Sequence, residues 1–187
     1  MDRRPVDTDE VAQIYDELLD AYETAWEYRG HRSLHLGLYD ETHDDPGAAS
    51  INAMRALSAA AAIEPGERVL NVGCGAGEDS VWNAKAHDAV VVGVDVGERQ
   101  LAAAKQNARE HGVADRTAFR TDDFHELATV EDESIDVVWG LEAIAHSPEP
   151  ERVLEQARRV LVAGGRLAVA DLFLARDLAS VETELLK

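Results

Sequence analysis

The chain has 187 residues, 45% of them hydrophobic, with 37 acidic side chains against 18 basic ones and a formal net charge of −19. That length can bury a core, no apolar run reaches the ~18 residues of a membrane-spanning helix, and the negative field repels phosphate backbones and anionic lipid, so nucleic acid and membrane surfaces are excluded as partners. The single cysteine, Cys74, rules out an intramolecular disulfide and points to a reducing, cytoplasmic setting.

The first ten residues, MDRRPVDTDE, carry no apolar h-region and do not read as a secretory signal. Residues 9–27 place Val11, Ile14, Tyr15, Leu18, Leu19, Tyr22 and Trp26 on one helical stripe, with Asp7 and Glu10 as a capping-box-like start. Residues 28–49 read as loop, and residues 50–62 as a second helix with Ser50 as its N-cap. EPGE then breaks the helix.

From residue 67 short β-branched runs alternate with helical stretches. The strands are predicted at 68–72, 89–95, 116–121, 135–140 and 165–171, the helices at 78–86, 98–111 and 150–161. Near-continuous apolar strands separated by helices predict an α/β fold, a doubly wound parallel sheet covered on both faces. In such sheets a ligand lies beyond the carboxyl ends of the strands. The residues to inspect are therefore 73–78, 95–97, 122–124, 141–146 and 171–173.

Three glycines, Gly73, Gly75 and Gly77, follow the first strand, where the backbone turns tightly and a ligand approaches closely. A dinucleotide fingerprint needs glycine where Glu78 stands, and a P-loop needs Gly-Lys-Ser/Thr. Glu78 and Asp79 would oppose a pyrophosphate at that helix start, so the turn suits a nucleoside without a phosphate chain. Asp95 ends the second strand, 22 residues after Gly73, where an acid accepts from both ribose hydroxyls and also serves as a helix cap. After the third strand, Asp122 or Asp123 is placed to accept from an adenine amino group, with Phe124 against the ring.

The succession VLNVGCGAG, VVGVDV, TDDF, ESIDVVWGLEAIAH and RVLVAGGRLAVADLF resembles the class I S-adenosylmethionine-dependent methyltransferases over residues 60–175. The resemblance implies their Rossmann-like fold and S-adenosylmethionine as cofactor, leaving as S-adenosylhomocysteine. It sets Gly73, Cys74, Gly75 and Gly77 against the methionine part, Asp95 on the ribose, and Val96, Phe124 and Leu141 along the pocket. By spacing to Leu127 it puts the adenine amine on Asp123 rather than Asp122. Asn71 stands where the family carries an acid for the ammonium, and a neutral acceptor gives the weaker bond. The family's last two strands have no sequence here, so a shortened chain is expected, or an edge completed by another chain or a homodimer. The expected organisation is one domain over 1–187, with N-terminal helices and lid at 1–62, a cofactor core at 63–175 and a helical tail at 176–187.

Methyl transfer from a sulfonium is an in-line displacement, assisted by a base when the acceptor is a hydroxyl. His146 after the fourth strand and Asp171 after the fifth reach the same sheet edge as candidate base and its support. In SLHLGLYD, His35, Gly37 and Tyr39 resemble an H-x-G-x-Y element of small-molecule methyltransferases, which adds His35 to the catalytic candidates. The resembled enzymes act on sarcosine and dimethylglycine, on tocopherols and sterols, and on antibiotic sugars; AHSPE leans toward the amines. The histidines share no metal-ligand spacing, so no metal is expected. The expected partner is a small-molecule acceptor. The alternative is a non-catalytic cofactor-binding protein or subunit. The acidic surface fits a salt-rich cytoplasm, where ions screen self-repulsion.

Overall fold

Five strands form one parallel sheet in the order β3-β2-β1-β4-β5: β1 (Arg68–Val72), β2 (Val90–Asp95), β3 (Thr117–Thr121), β4 (Ile135–Leu141) and β5 (Leu161–Ala170). The computed structural model describes residues 8–19, 21, 22, 24 and 31–172. The strands follow the β-branched runs to within a residue or two, apart from β5, whose pairing starts at Leu161 and resumes at Arg166 after a bulge.

Alternate residues of each strand feed opposite faces. Val69, Val91, Val137 and Trp139 pack beneath α2 (Pro46–Ala61), α3 (Glu78–Ala86) and α4 (Glu98–Glu110). Leu70, Val72, Val94 and Val138 meet α5 (Pro150–Val160) on the other side. Trp139, expected in the core, is fully buried. The order of strands reverses between β1 and β4, so their carboxyl ends open a crevice.

Helix α2 starts earlier than Ser50. Asp45 is its N-cap, accepting from the amides of Gly47 and Ala48 at 3.0 Å, with Pro46 in the first turn. An Asp followed by Pro is the stronger start because it supplies both the acceptor and a fixed φ. Ser50 is instead buried inside the helix, 1% exposed.

Helix α1 (Thr8–Glu17) matches the predicted stripe only in part. Leu19 is buried, but Ile14 and Leu18 are 45% and 43% exposed. Among the described residues the helix meets the body chiefly along α4, which leaves one side of the stripe exposed. Asp7, Trp26 and the tail at 176–187 lie outside the described residues.

Candidate functional site

The three glycines turn the chain from β1 into α3, and two of them show what the turn needs. Gly77 has φ +76, and a Cβ there would come within 2.7 Å of the Ala104 Cβ, so its place is set by packing against α4. Gly75 has φ +48, and a Cβ would meet nothing nearer than Gln100 Oε1 at 3.8 Å. The space above Gly75 is open. It belongs to a cavity of about 210 Å³ walled by Gly73, Cys74, Gly75, Asp95, Val96 and Gln100, then by residues 122–125 and 141–143, with α1 and residues 32–35 across the mouth.

Asp95 organises the floor. Its Oδ2 accepts the Gly75 amide at 2.8 Å and its Oδ1 the Gly97 amide at 2.9 Å. Burial pushes its carboxyl up, and the amides of Gly97, Gly75 and Val96 oppose that rise. With about four lone-pair sites, the carboxylate still has room for a further donor. Beside it, Gln100 is 1% exposed, and neither its Oε1 nor its Nε2 has a hydrogen-bond partner among the described residues. A buried amide left unsatisfied is costly, and a ligand in the cavity would satisfy it. Sequence reasoning missed Gln100, since a glutamine in an amphipathic helix looks like surface.

After β3 the two acids differ. The Asp122 carboxylate accepts from the Ala128 amide at 3.0 Å, the Thr129 amide at 2.7 Å and the Thr129 hydroxyl at 2.6 Å. It closes the following turn. Asp123 Oδ1 accepts the His125 amide at 2.8 Å and lies 2.6 Å from His125 Nδ1, while its other side borders the cavity with Phe124. His125 Nε2 lies 2.7 Å from the Ser147 hydroxyl, tying this loop to the 3-10 turn Ile144–His146.

Three expectations change. Asn71 does not line the cavity. It is 1% exposed and donates to the Ser80 hydroxyl at 3.0 Å, because α3 runs directly over the end of β1. Gly77 also stands outside the cavity wall, for the packing reason above. Asp171 lies outside too, with Oδ2 accepting the Ala145 amide at 2.9 Å and Oδ1 the Leu172 amide at 2.8 Å. It fastens the 3-10 turn to the end of β5. The side chain of His146 lies outside the described residues.

His35 does line the cavity, and one of its ring nitrogens is hydrogen-bonded. Its Nδ1 donates to the Leu36 carbonyl at 2.9 Å, and its Nε2 faces Asp79 Oδ1 at 3.4 Å. Asp79 also accepts from Trp139 Nε1 at 3.3 Å. Burial lowers the imidazole's affinity for protons. The Asp79 carboxylate, the Leu36 carbonyl and Glu142 outweigh that and push it up. Nε2 makes no hydrogen bond among the described residues and has Asp79 as its nearest charged neighbour. His35 thus stands in the cavity wall, with its ring between the Leu36 carbonyl and Asp79.

Two more carboxylates hold the same segment. Glu142 accepts the Leu36 amide on both oxygens at 3.0 Å, and Glu78 Oε2 accepts the Arg32 amide at 3.0 Å. The Arg32 guanidinium is itself held by the Ala103 carbonyl at 3.1 Å and Glu110 at 2.8 Å. The wall is thus rich in carboxylates, and its one guanidinium among the described residues is already engaged. Cys74 is buried, and burial raises its thiol well above the ordinary range, so it acts as a packing residue of the turn. No group of three metal-ligating side chains occurs among the described residues.

Residues 63–186 match the family described as a methyltransferase domain. The chain is 34% identical over 175 residues to the 27-O-demethylrifamycin SV methyltransferase of Amycolatopsis mediterranei, covering 94% of this chain and 62% of that protein. It is 30% identical over 172 residues to the sarcosine/dimethylglycine N-methyltransferase of Halorhodospira halochloris, covering 90% and 60%. Among solved structures it superposes on the [4+2]-cyclase SpnF with a TM-score of 0.81 at 27% identity, covering 89% of this chain and 61% of that one. The chain therefore spans about three fifths of the length of these relatives.

Proposed function

We propose that this chain, which belongs to the methyltransferase-domain family, binds S-adenosylmethionine along the carboxyl edge of its sheet and acts as a methyltransferase on a small molecule. One observation carries the reading. A buried carboxylate, Asp95, an unsatisfied amide, Gln100, and open space above Gly75 converge in a cavity whose charged wall is acidic. Such a wall suits a ligand bearing a sulfonium and an ammonium and opposes one bearing phosphates.

When bound, S-adenosylmethionine supplies an electrophilic methyl group, whose bond to sulfur breaks as the acceptor's lone pair makes the new one. The residues of this chain bind and orient. Asp95 and Gln100 would hold the ribose hydroxyls, Asp123 the adenine amine, and Val96, Phe124 and Leu141 the apolar faces. The backbone at Gly73, Cys74 and Gly75 would follow the methionine part. With Asn71 engaged under α3, Asp79 and Glu78 supply the negative charge at that end. His146 and Asp171 act on the acceptor side of the 3-10 turn, Asp171 by holding it in place.

The relatives are named enzymes, which favours turnover over a non-catalytic binder. Among the described residues no helix is long and apolar enough to cross a membrane. The buried lone thiol supports a reducing cytoplasm, and the charge of −19 supports a salt-rich one. Stability that rises steeply with KCl would bear out the salt reading, and indifference to salt would end it. The exposed Leu167 on the edge strand β5 supports self-association.

Titration calorimetry tests the main reading. S-adenosylhomocysteine binds and NADH does not. NADH binding in its place would overturn the assignment.

A further inference from the structure

A second recess adjoins the cavity and no role has yet been given to it. It holds about 360 Å³ between residues 36–38, one side of α2, and the ends of β4 and β5. Ala53, Ala56 and Ala60 form its α2 wall, and Leu36, Leu38 and Leu172 rim it, these three being 60%, 49% and 69% exposed. Exposed leucines gathered around one hollow mark a surface that a ligand covers.

The recess borders the cavity, since Leu141 and Glu142 belong to the walls of both. Among the described residues its charged groups are Glu142 and Asp171, with no lysine, arginine or histidine in its lining. The Asp171 oxygens each accept a backbone amide. Glu142 meets the single amide of Leu36 with both oxygens and so keeps more capacity to accept from a donor.

We infer that this recess is the acceptor subsite, and that it takes an uncharged, predominantly apolar molecule whose hydroxyl donates to Glu142. This rests on the function proposed above and narrows its substrate class. Carboxylate and phosphate-bearing acceptors are disfavoured, because two carboxylates face them and no cation among the described residues offsets the charge. Sarcosine and dimethylglycine, each with a carboxylate and little apolar surface, fall in the disfavoured class. The sequence had leaned toward those amines. The apolar rim argues for ring or chain compounds instead.

The test uses the full chain and two probes of one shape, 2-naphthol and 2-naphthoate, titrated by ligand-observed NMR. 2-Naphthol binds at least tenfold more tightly than 2-naphthoate. Ala56→Phe and, independently, Ala60→Leu fill the recess and weaken 2-naphthol at least tenfold, while S-adenosylhomocysteine affinity stays within twofold. Glu142→Gln narrows the preference for the neutral probe. Equal binding of the two probes, 2-naphthol affinity untouched by both fillings, or no 2-naphthol binding by folded protein would overturn the inference. The last result would mean that the chain itself or a second copy fills the recess. Loss of S-adenosylhomocysteine binding in the wild type would instead sink the cofactor reading and leave the recess standing.

Discussion

The Gly75 amide donates to Asp95 Oδ2 at 2.8 Å, and this bond joins the glycine turn after β1 to the tip of β2. Gly97 donates to the other oxygen at 2.9 Å, so one carboxylate sets the shape of two ligand-facing loops. Asp95→Ala removes both bonds together with the acceptor for the ribose. Hydrogen bonds to a charged group contribute about 1.5–3 kcal/mol each. S-adenosylhomocysteine affinity should fall by roughly 10- to 150-fold, read by calorimetry. Affinity within threefold of wild type would reject Asp95 as a ligand residue.

The same burial gives a pH dependence. Asp95 is pushed up by desolvation, so in the free protein it takes a proton more readily than an ordinary carboxyl. Ribose hydroxyls donate more strongly to the ionised form and pull it back down. Binding therefore releases a proton across that window, and affinity rises with pH through the folded value, then levels off once the carboxylate is ionised. Asp95→Asn should flatten the profile. A wild-type profile that falls with rising pH in the acid range would contradict the sign.

Asp122 and Asp123 are neighbours with separable jobs. Asp122→Ala strips three donors from the turn that seats the buried Leu127 and should cost about 2–4 kcal/mol of stability. Asp123→Ala leaves that turn alone. Its melting temperature should stay within about 2 °C of wild type, while nucleoside affinity drops about tenfold. The reverse pattern, with binding lost at Asp122 and stability at Asp123, would exchange their roles.

His35 joins the segment before α2 to the start of α3 through Asp79 at 3.4 Å. Its imidazole is buried, which lowers its proton affinity, but Asp79, the Leu36 carbonyl and Glu142 raise it further than burial lowers it. The sign follows from linkage. Stability from a raised histidine is complete below the free value near about 6.5 and is lost as pH climbs through the folded value. The gap in melting temperature between wild type and His35→Gln should be wide at mildly acid pH and shrink toward alkaline pH. A constant gap would show that His35 contributes packing alone.

Much of the sheet was legible because its signals are local. Alternation in 68–72 and 90–95 needs no distant partner, and the turn Gly73–Gly77 announces itself by backbone demand. Asp95 was legible for the same reason, as the last residue of a strand. The contacts that were hidden are long-range. Glu142 meets Leu36 across 106 positions, and nothing in either neighbourhood signals the other. Asn71 reads as a ligand residue because the family resemblance places an acid for the ammonium at its position, yet Ser80, nine residues on, takes its amide. The start of α2 differs for another reason: the signal of Asp45 and Pro46 is local, but Ser50 offers an alternative cap.

Gln100 separates stability from binding. Its side chain is 1% exposed with both amide atoms unpartnered among the described residues, a state that costs the free protein about 1–3 kcal/mol. Methionine has nearly the same shape and no amide to desolvate. Gln100→Met should therefore hold or raise the melting temperature of the free protein. In the bound protein the lost group is one that the ligand satisfies, so S-adenosylhomocysteine affinity should fall roughly tenfold. A residue that merely filled space would lose stability and keep affinity, and a surface residue would change neither. Differential scanning fluorimetry without ligand, set beside calorimetry with it, distinguishes these outcomes, and a Gln100→Met protein that binds as tightly as wild type removes Gln100 from the site.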